Sequence, residues 1–551
     1  MIKLDYHGFT QLAGDFWEWR AFHQPNGSDD LPRIERPRDW DPDWSRSAVK
    51  KQRSDLGRFE ERWRNCDGSG WPIPQQVDHR LIGSALARVR WELDVLRSWE
   101  LNPRFYLYQA LGAFFEELLK NRPFDGERTA AIVKCLERAP RMLADGKANL
   151  AQTAVRPFAA VTIEILRDIG PRLLTVVREL KPLITSGSAG QLDSSAEAAI
   201  SALQGFRDWL EHRLPVMSEE MGVEREGYSF FLRNVALMPF APEQLLAMGA
   251  QEWERSVAFE ALASERAKGA PELELVPDQA VQMTREEEAE QAIRRFLEAE
   301  NILTVPSWMA HYRNLPVPAY IEPLAELSVL DDLTSATRLG EDGLRYIPKP
   351  SGTLGYFERS AALDPRPLIV HEGVPGHFLQ FSLSWAHENS IRRFYYDSGP
   401  NEGIGFYAEE MMLQAGLFDD SPRTREIVYN FMRLRALRVE VDVKLALGSF
   451  TIDDATDYLR TRTPMDYDTA RAEAILFASM PGQAISYQTG KLQIVRFLAE
   501  ARQKMGSQFN LRAFHDYLWK NGNVPISLLR WEYLGLDDEV AMLGVDVGFP
   551  K

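Results

Sequence analysis

Leu368-Ile369-Val370-His371-Glu372-Gly373-Val374-Pro375-Gly376-His377 sets two histidines and a glutamate directly after an apolar run. Neutral imidazole nitrogens bind Zn²⁺ well, and a carboxylate beside the first histidine is suited to deprotonate a metal-activated water. The spacing is unusual. In the helical pattern H-E-x-x-H the histidines are four residues apart and share a face, whereas here they are six apart. At about 100° per residue, six residues leave them roughly 120° out of phase on an ideal helix, so an unbroken helix cannot present both to one ion. Pro375 removes a backbone donor and clashes with the preceding turn, and Gly376 tolerates conformations closed to other residues. A Pro-Gly bulge is therefore expected to re-aim His377. The competing reading is a helix break flanked by two incidental histidines.

Catalytic zinc usually has three protein ligands and an open position. Downstream, Asp397-Ser398-Gly399-Pro400-Asn401 reads as a turn, and Glu402-Gly403-Ile404-Gly405-Phe406-Tyr407-Ala408-Glu409-Glu410 continues helically through Met411, Met412 and Leu413. Ser398 or Asn401 is the expected cap. Packed against the first helix, this second one would present Glu402 as the third ligand. Glu409, seven residues later on the same face, would either orient a histidine or compete for ligation. The alternative for Glu402 is an acidic residue placed favourably at a helix N-terminus.

These segments resemble the bacterial family called domain of unknown function 885, whose signature is H-E-x-x-P-G-H followed by a helix of the form E-G-W-A-x-Y-x-E. The likeness extends to Gly222 through Tyr228, Gly352-Thr353-Leu354-Gly355-Tyr356-Phe357, Arg435, Arg438 and Asp442. It continues through Pro481-Gly482-Gln483-Ala484-Ile485-Ser486-Tyr487-Gln488-Thr489-Gly490-Lys491 and Phe514-His515-Asp516 with Gly522 and Pro525, spanning roughly residues 220 to 540. The family is similar in turn to glutamate-type zincins, including the carboxypeptidase Taq and thimet oligopeptidase groups. The resemblance implies a large, mainly α, zincin-like metallopeptidase fold with a substrate cleft between helical lobes. It implies His371, His377 and Glu402 as Zn²⁺ ligands and Glu372 as general base.

It also implies Tyr487 as the donor to a developing oxyanion, since a phenol donates a hydrogen bond without titrating near neutral pH. His515 would bind a substrate carbonyl or carboxylate. Each has a structural alternative: an aromatic packed at a helix start for Tyr487, a satisfied buried histidine for His515. The chain departs from the family at Phe378, where many relatives carry a second histidine, at Ile404-Gly405 in place of Trp-Ala, and at Ala446 in place of a histidine. None of these removes a proposed ligand; they bear on substrate preference through pocket shape.

Composition sets the surroundings. A chain of 551 residues with 45% hydrophobic and 26% charged residues reads as soluble and globular, able to bury a large core. A net charge of −16 argues against nonspecific nucleic-acid binding, which needs a basic patch. No stretch approaches a membrane span, and Met1-Ile2-Lys3-Leu4-Asp5-Tyr6-His7 lacks the apolar core of a signal peptide, so a cytoplasmic location is the default expectation. Cys66 and Cys135 are too few for a disulfide framework and read as small apolar residues. The residues imply no particular oligomeric state.

Helical periodicity dominates. Phe158, Val161, Ile165, Leu166 and Ile169 form one apolar face within residues 157 to 182, and Leu492, Val495, Leu498 and Ala499 line another. Thr284 with Glu287 predicts a capping box ahead of Ala292, Ile293 and Phe296. Thr185 to Ala196 and Lys268 to Gln282 read as surface loops. Residues 341 to 360 carry short extended runs that predict a small β-sheet beside the metal helix, with an edge strand suited to an extended peptide. Residues 1–300 are expected to form an N-terminal helical lobe and 301–551 the catalytic metal-binding lobe, in one integrated unit. Trp17, Trp19, Trp40, Trp44, Trp63 and Trp71 are expected to pack the first lobe, and Glu286-Glu287-Glu288 to form a solvated face.

The combined expectation is a zinc-dependent hydrolase, a peptidase whose partner is a peptide or small amide substrate cut through metal-activated water with Glu372 as base. A non-peptide amide or ester metallohydrolase would use the same chemistry. A non-catalytic binding protein on this scaffold is disfavoured by Glu372, because a structural site needs no base and usually has four protein ligands.

Overall fold

The computed structural model describes residues 5–27, 35–37, 40–184 and 189–543; the first four residues of the leader reading and residues 185–188 lie outside them. Helices dominate, and side-chain caps mark their starts: Asp5, Ser45, Asp125, Ser421, Asp466 and Asn510 each accept a hydrogen bond from a first-turn backbone N–H. Among the described residues no helix is long and apolar enough to cross a membrane. Trp40, Trp44 and Trp63 are buried, and Trp17, Trp19 and Trp71 pack partly buried against the core that holds Trp44 and Trp63, as expected of large aromatic side chains.

Several local expectations fail for identifiable reasons. The apolar face over 157 to 182 is two helices, Arg156–Leu166 and Ile169–Leu180. Phe158 and Val161 serve one core while Leu166, Ile169 and Leu173 serve another. Two thirds of the Ser/Gly-rich stretch is helical, since the helix Ala189–Arg213 begins inside it and buries Leu192 and Ala196. The helix Gln279–Ala299 is capped by Asp278, not by Thr284, whose hydroxyl donates to the Ala280 carbonyl within the helix. In Gln483–Met505 the inward positions are Lys491, Ile494, Phe497 and Ala501, with Val495 exposed. Lys491 takes a core position because Glu410, 2.8 Å away, and Glu252, 3.4 Å away, neutralise it, and a hidden cation defeats a reading by hydrophobicity.

The sheet has three strands in the order β1 (Tyr312–Pro316), β3 (Gly343–Ile347), β2 (Asp331–Asp332). Tyr312 pairs with Gly343 in the parallel ladder and Asp331 with Arg345 in the antiparallel one. Only β3 falls within the segment predicted to be extended, and it is the central strand; the edges come from upstream. The sheet lies close to the helix His377–Trp385, because a Cβ on Gly343 would stand 2.5 Å from the Phe378 ring.

Four long helices frame the site. Pro242–Ala267 runs along Pro422–Ala446, where Gly249 admits Val439. Ser398–Ala415 crosses Gln483–Met505 backbone to backbone: a Cβ on Gly403 would lie 2.7 Å from the Gly490 Cα, and one on Gly490 would lie 2.1 Å from the Gly399 carbonyl oxygen. The start of the latter helix is held by Asp442, which accepts from the N–H groups of Gly482 (2.9 Å), Ala484 (2.7 Å) and Ile485 (3.2 Å) and from the Tyr228 hydroxyl (2.8 Å). Gly482 sits at φ +96°, where a side chain would also strike Phe231.

Glu286 overturns the solvated-face reading of its acidic run. Glu287 and Glu288 are exposed, but Glu286 is buried and accepts from Asn314 Nδ2 at 2.6 Å, tying this helix to β1. Burial pushes its carboxyl up to about 8 against the pull of Asn314. A carboxyl raised on folding contributes stability that is complete below its unfolded value and is lost as pH rises through the folded value. Glu286→Gln should therefore remove up to about 1.4 kcal/mol per pH unit of stability loss between about pH 5 and pH 8. Parallel pH profiles of urea unfolding for the two proteins would refute the buried neutral carboxyl.

Candidate metal centre

His371 belongs to a helical segment that runs from Arg366 and widens to a π turn over Ile369–Gly373. Val374 is extended, the Val374–Pro375 bond is cis, and a new helix, His377–Trp385, begins directly after Gly376. The expected bulge within one helix is thus a break between two. Its compactness requires both glycines: a Cβ on Gly376 would lie 1.7 Å from the His371 carbonyl oxygen, and one on Gly373 would lie 2.6 Å from the Tyr312 ring. Trp519 Nε1 donates to the Pro375 carbonyl at 2.5 Å and holds the break in place.

The break brings the two imidazoles together, with ring centroids 4.8 Å apart and planes at 78°. Glu402, in the first turns of Ser398–Ala415, places Oε2 3.4 Å from the Nε2 atom of each histidine. The cap of that helix is Asp397, which accepts from Gly399 N–H and pairs with Arg88, in place of the predicted Ser398 or Asn401. All three side chains are buried, and one potential ligand atom from each lies within 4.8 Å of the others. Zinc bonds of about 2.0–2.2 Å at tetrahedral angles separate neighbouring ligand atoms by about 3.3–3.5 Å, which the two Nε2–Oε2 distances match. Glu402 Oε2 receives no hydrogen bond from the protein; a buried carboxylate oxygen without a donor is costly and suits a cation. His371, His377 and Glu402 therefore fit a His₂Glu metal set.

Glu409 takes the orienting alternative. Its Oε1 lies 2.6 Å from His371 Nδ1 and 2.8 Å from Arg435 Nη2. A single proton on Nδ1, beside this carboxylate, would leave the Nε2 lone pair to face Glu402. Burial disfavours charge on His371, yet Glu402 and Glu409 outweigh it and raise the imidazole to about 9. Burial likewise opposes the charge on Glu402, but His377 and His371 hold it well below the usual carboxylate range. A metal entering near neutral pH would thus displace a proton.

A cavity of about 340 Å³ opens beside this cluster, and Glu372, Arg345, Arg435, Arg438 and Tyr487 lie on its wall with the three candidate ligands. Burial raises the Glu372 carboxyl, but Arg345, whose Nη1 is 3.4 Å from Oε1, and then His371 and His377 bring it below its ordinary value. It is ionised at neutral pH, as a base must be. A model of the family described as "Bacterial protein of unknown function (DUF885)" matches residues 34–532.

The chain belongs to the DUF885 family. No curated protein matches it. Two solved structures share the fold over 96% of this chain. One is a candidate lipoprotein of unknown function from Shewanella oneidensis, with TM-score 0.70 and 15% identity over 100% of its own chain. The other is a candidate lipoprotein from Colwellia psychrerythraea, with TM-score 0.73 and 18% identity over 99% of its chain.

Tyr487 lies on the cavity wall of this DUF885 chain, its ring stacked on His371 (centroids 6.1 Å, planes at 18°) and covered by the Arg438 guanidinium at 4.6 Å. Glu473 holds Arg438 through Nε at 2.7 Å and Nη2 at 2.5 Å. His515, by contrast, is absent from the wall. It is buried, its Nδ1 lies 2.9 Å from the Ile302 carbonyl and its Nε2 2.9 Å from the Tyr407 hydroxyl, and burial lowers its pKa to about 4. The substrate-binding expectation for His515 gives way to that of a neutral, satisfied core histidine. Asp516 beside it accepts from Thr304 N–H and Oγ1 at 2.8 Å each, so Phe514-His515-Asp516 fastens the 302–304 segment. Arg345 and Glu473 were not among the residues that sequence reasoning picked out. The only signal for Arg345 was a cation in the otherwise apolar run Leu344-Arg345-Tyr346-Ile347; Glu473 carried none.

Glu409→Gln should weaken zinc binding about 10- to 100-fold, the usual effect of removing a carboxylate that orients a ligating histidine. Competition titration against a chelator measures this, and an unaltered dissociation constant would remove Glu409 from the site.

Proposed function

We propose that this protein is a zinc-dependent hydrolase of peptide or small amide bonds. The observation that carries the reading is the buried His371, His377 and Glu402 set, with Glu402 Oε2 3.4 Å from each histidine Nε2 and the ionised Glu372 beside it on the wall of one cavity. Two imidazoles and one carboxylate suit Zn²⁺ and leave a coordination position open, as catalytic sites do. When bound, the ion supplies Lewis-acid polarisation of a carbonyl.

The chain's own groups divide the remaining work. Glu372 is placed to take a proton from the attacking water and return it to the leaving nitrogen. Tyr487 is placed to donate its phenolic hydrogen to the oxygen on which negative charge develops, and its orientation is held between the His371 ring and the Arg438 guanidinium. Glu409 and Arg435 keep His371 in the ligating tautomer. Apolar wall residues such as Leu330, Ile347 and Phe357 limit the water in the cavity.

Glu372→Gln should keep the fold and the zinc content while losing about 10²- to 10⁴-fold in hydrolysis of a mixed peptide library; undiminished turnover would sink the assigned base. His377→Ala should lose the metal in elemental analysis. Full zinc stoichiometry in that variant would reject the ligand set, and zinc-loaded protein that cleaves no peptide would reject the peptidase reading.

A further inference from the structure

Arg345, at the centre of β3, stands on the cavity wall with its side chain one-fifth exposed. Only its Nη1 is engaged, 3.2 Å from Asp331 Oδ2 and 3.4 Å from Glu372 Oε1; among the described residues no hydrogen bond engages Nε or Nη2. The other two guanidiniums of the cavity each have Nη2 occupied by a carboxylate. Arg438 uses Nε and Nη2 on Glu473. Arg435 holds Glu409 through Nη2 and packs among the rings of Phe406, Phe431 and Tyr487. Arg345 alone keeps the planar Nε–Nη2 edge, the fork that grips a carboxylate in two parallel bonds.

Location decides what such a fork would read. The guanidinium touches Glu372, the proposed base, so an anion seated on it lies within about one residue of the bond being cut, given about 3.8 Å between successive Cα atoms. The cavity, about 340 Å³, is near the lower end of ligand sites, at roughly 300–1,000 Å³, and suits a short substrate. Asp331, Glu409 and Glu473 on the wall are each held by a guanidinium, which lessens their opposition to an anion.

We infer that Arg345 is a carboxylate receptor, and that the substrates are short peptides or N-acylated amino acids cut at the amide next to a free α-carboxylate. This rests on the hydrolase reading and adds its substrate class. In the reaction the amide C–N bond breaks, the hydroxyl of water joins the acyl carbon, and a proton joins the nitrogen, releasing a free amino acid.

The test compares N-acetyl-dialanine with its C-terminal amide on the zinc-loaded full chain, in the unaltered protein, Arg345→Gln and Arg345→Lys. The acid should be favoured at least tenfold in kcat/KM, mainly through KM. The acid-to-amide ratio should fall towards one in Arg345→Gln and partway in Arg345→Lys, which keeps the charge beside Asp331 but loses the fork. Should Arg345→Gln fail to fold by circular dichroism, Arg345→Lys decides. Equal use of acid and amide by the unaltered protein, or a ratio preserved in the folded variants, overturns the receptor. Turnover of neither compound counts against the hydrolase instead, and calorimetry with N-acetylalanine and its amide then judges Arg345. Binding of the acid alone, weakened in the variants, supports the receptor; equal binding or none overturns it.

Discussion

The site depends on one close contact between two backbones. Gly403 on one helix and Gly490 on another leave no room for a Cβ at their crossing, where Gly490 lies against the Gly399 carbonyl and the Gly403 Cα, so Ser398–Ala415 and Gln483–Met505 approach closer than side chains ordinarily allow. Glu402 sits one residue from this contact and Tyr487 three residues from it. A carboxylate and a phenol required near the same pair of histidines are therefore placed by the part of the molecule least able to yield. Asp442 completes the arrangement by starting the Tyr487 helix at a defined point, since its carboxylate satisfies N–H groups that an uncapped helix would leave orphaned.

The other half of the cluster is built from a discontinuity. A helix places residues six apart on different faces, and the structure solves this by ending one helix and starting another within three residues. Gly373 and Gly376 permit the tight passage against Tyr312 and the His371 carbonyl, while Trp519 secures the Pro375 carbonyl. The two halves meet at Gly405, where a Cβ would stand 2.9 Å from His371 Cε1 and 3.0 Å from His377 Cε1. The glycine lets the rings sit directly against the glutamate helix, so Gly405 bears on the placement of both imidazoles.

What could be read in advance follows from the range of the interactions involved. Helix content, the Pro-Gly interruption and the His371, His377, Glu402 grouping rest on local periodicity and on motifs whose spacing is itself the signal. Failures cluster where a polar side chain occupies a core position by pairing at long range: Lys491 with Glu410, Glu286 with Asn314, Arg438 with Glu473. Hydrophobic patterning ranks such residues as surface, and only the partner, distant in sequence, reverses that ranking. His515 shows the opposite error. A histidine in a recognisable motif invites a chemical reading, yet its two nitrogens are occupied by Ile302 and Tyr407, and the motif encodes a fastening between segments.

These buried pairs also explain how a cavity holding several carboxylates tolerates them. An isolated ionised carboxylate in a low-dielectric interior is expensive, whereas a hydrogen-bonded pair recovers much of that cost and is strongly destabilising to break from one side. Asp331 with Arg345, Glu409 with Arg435 and Glu473 with Arg438 are three such pairs around one space. Each joins different elements: Asp331–Arg345 ties strand β2 to β3, Glu409–Arg435 ties Ser398–Ala415 to Pro422–Ala446, and Glu473–Arg438 ties Tyr467–Ser479 to Pro422–Ala446. Glu402 differs from the other three in its partners: its Oε2 faces two imidazole nitrogens, each 3.4 Å away, in place of a guanidinium. In a wall where the other three acids each have a guanidinium beside them, the carboxylate between two imidazoles marks the place that a cation completes.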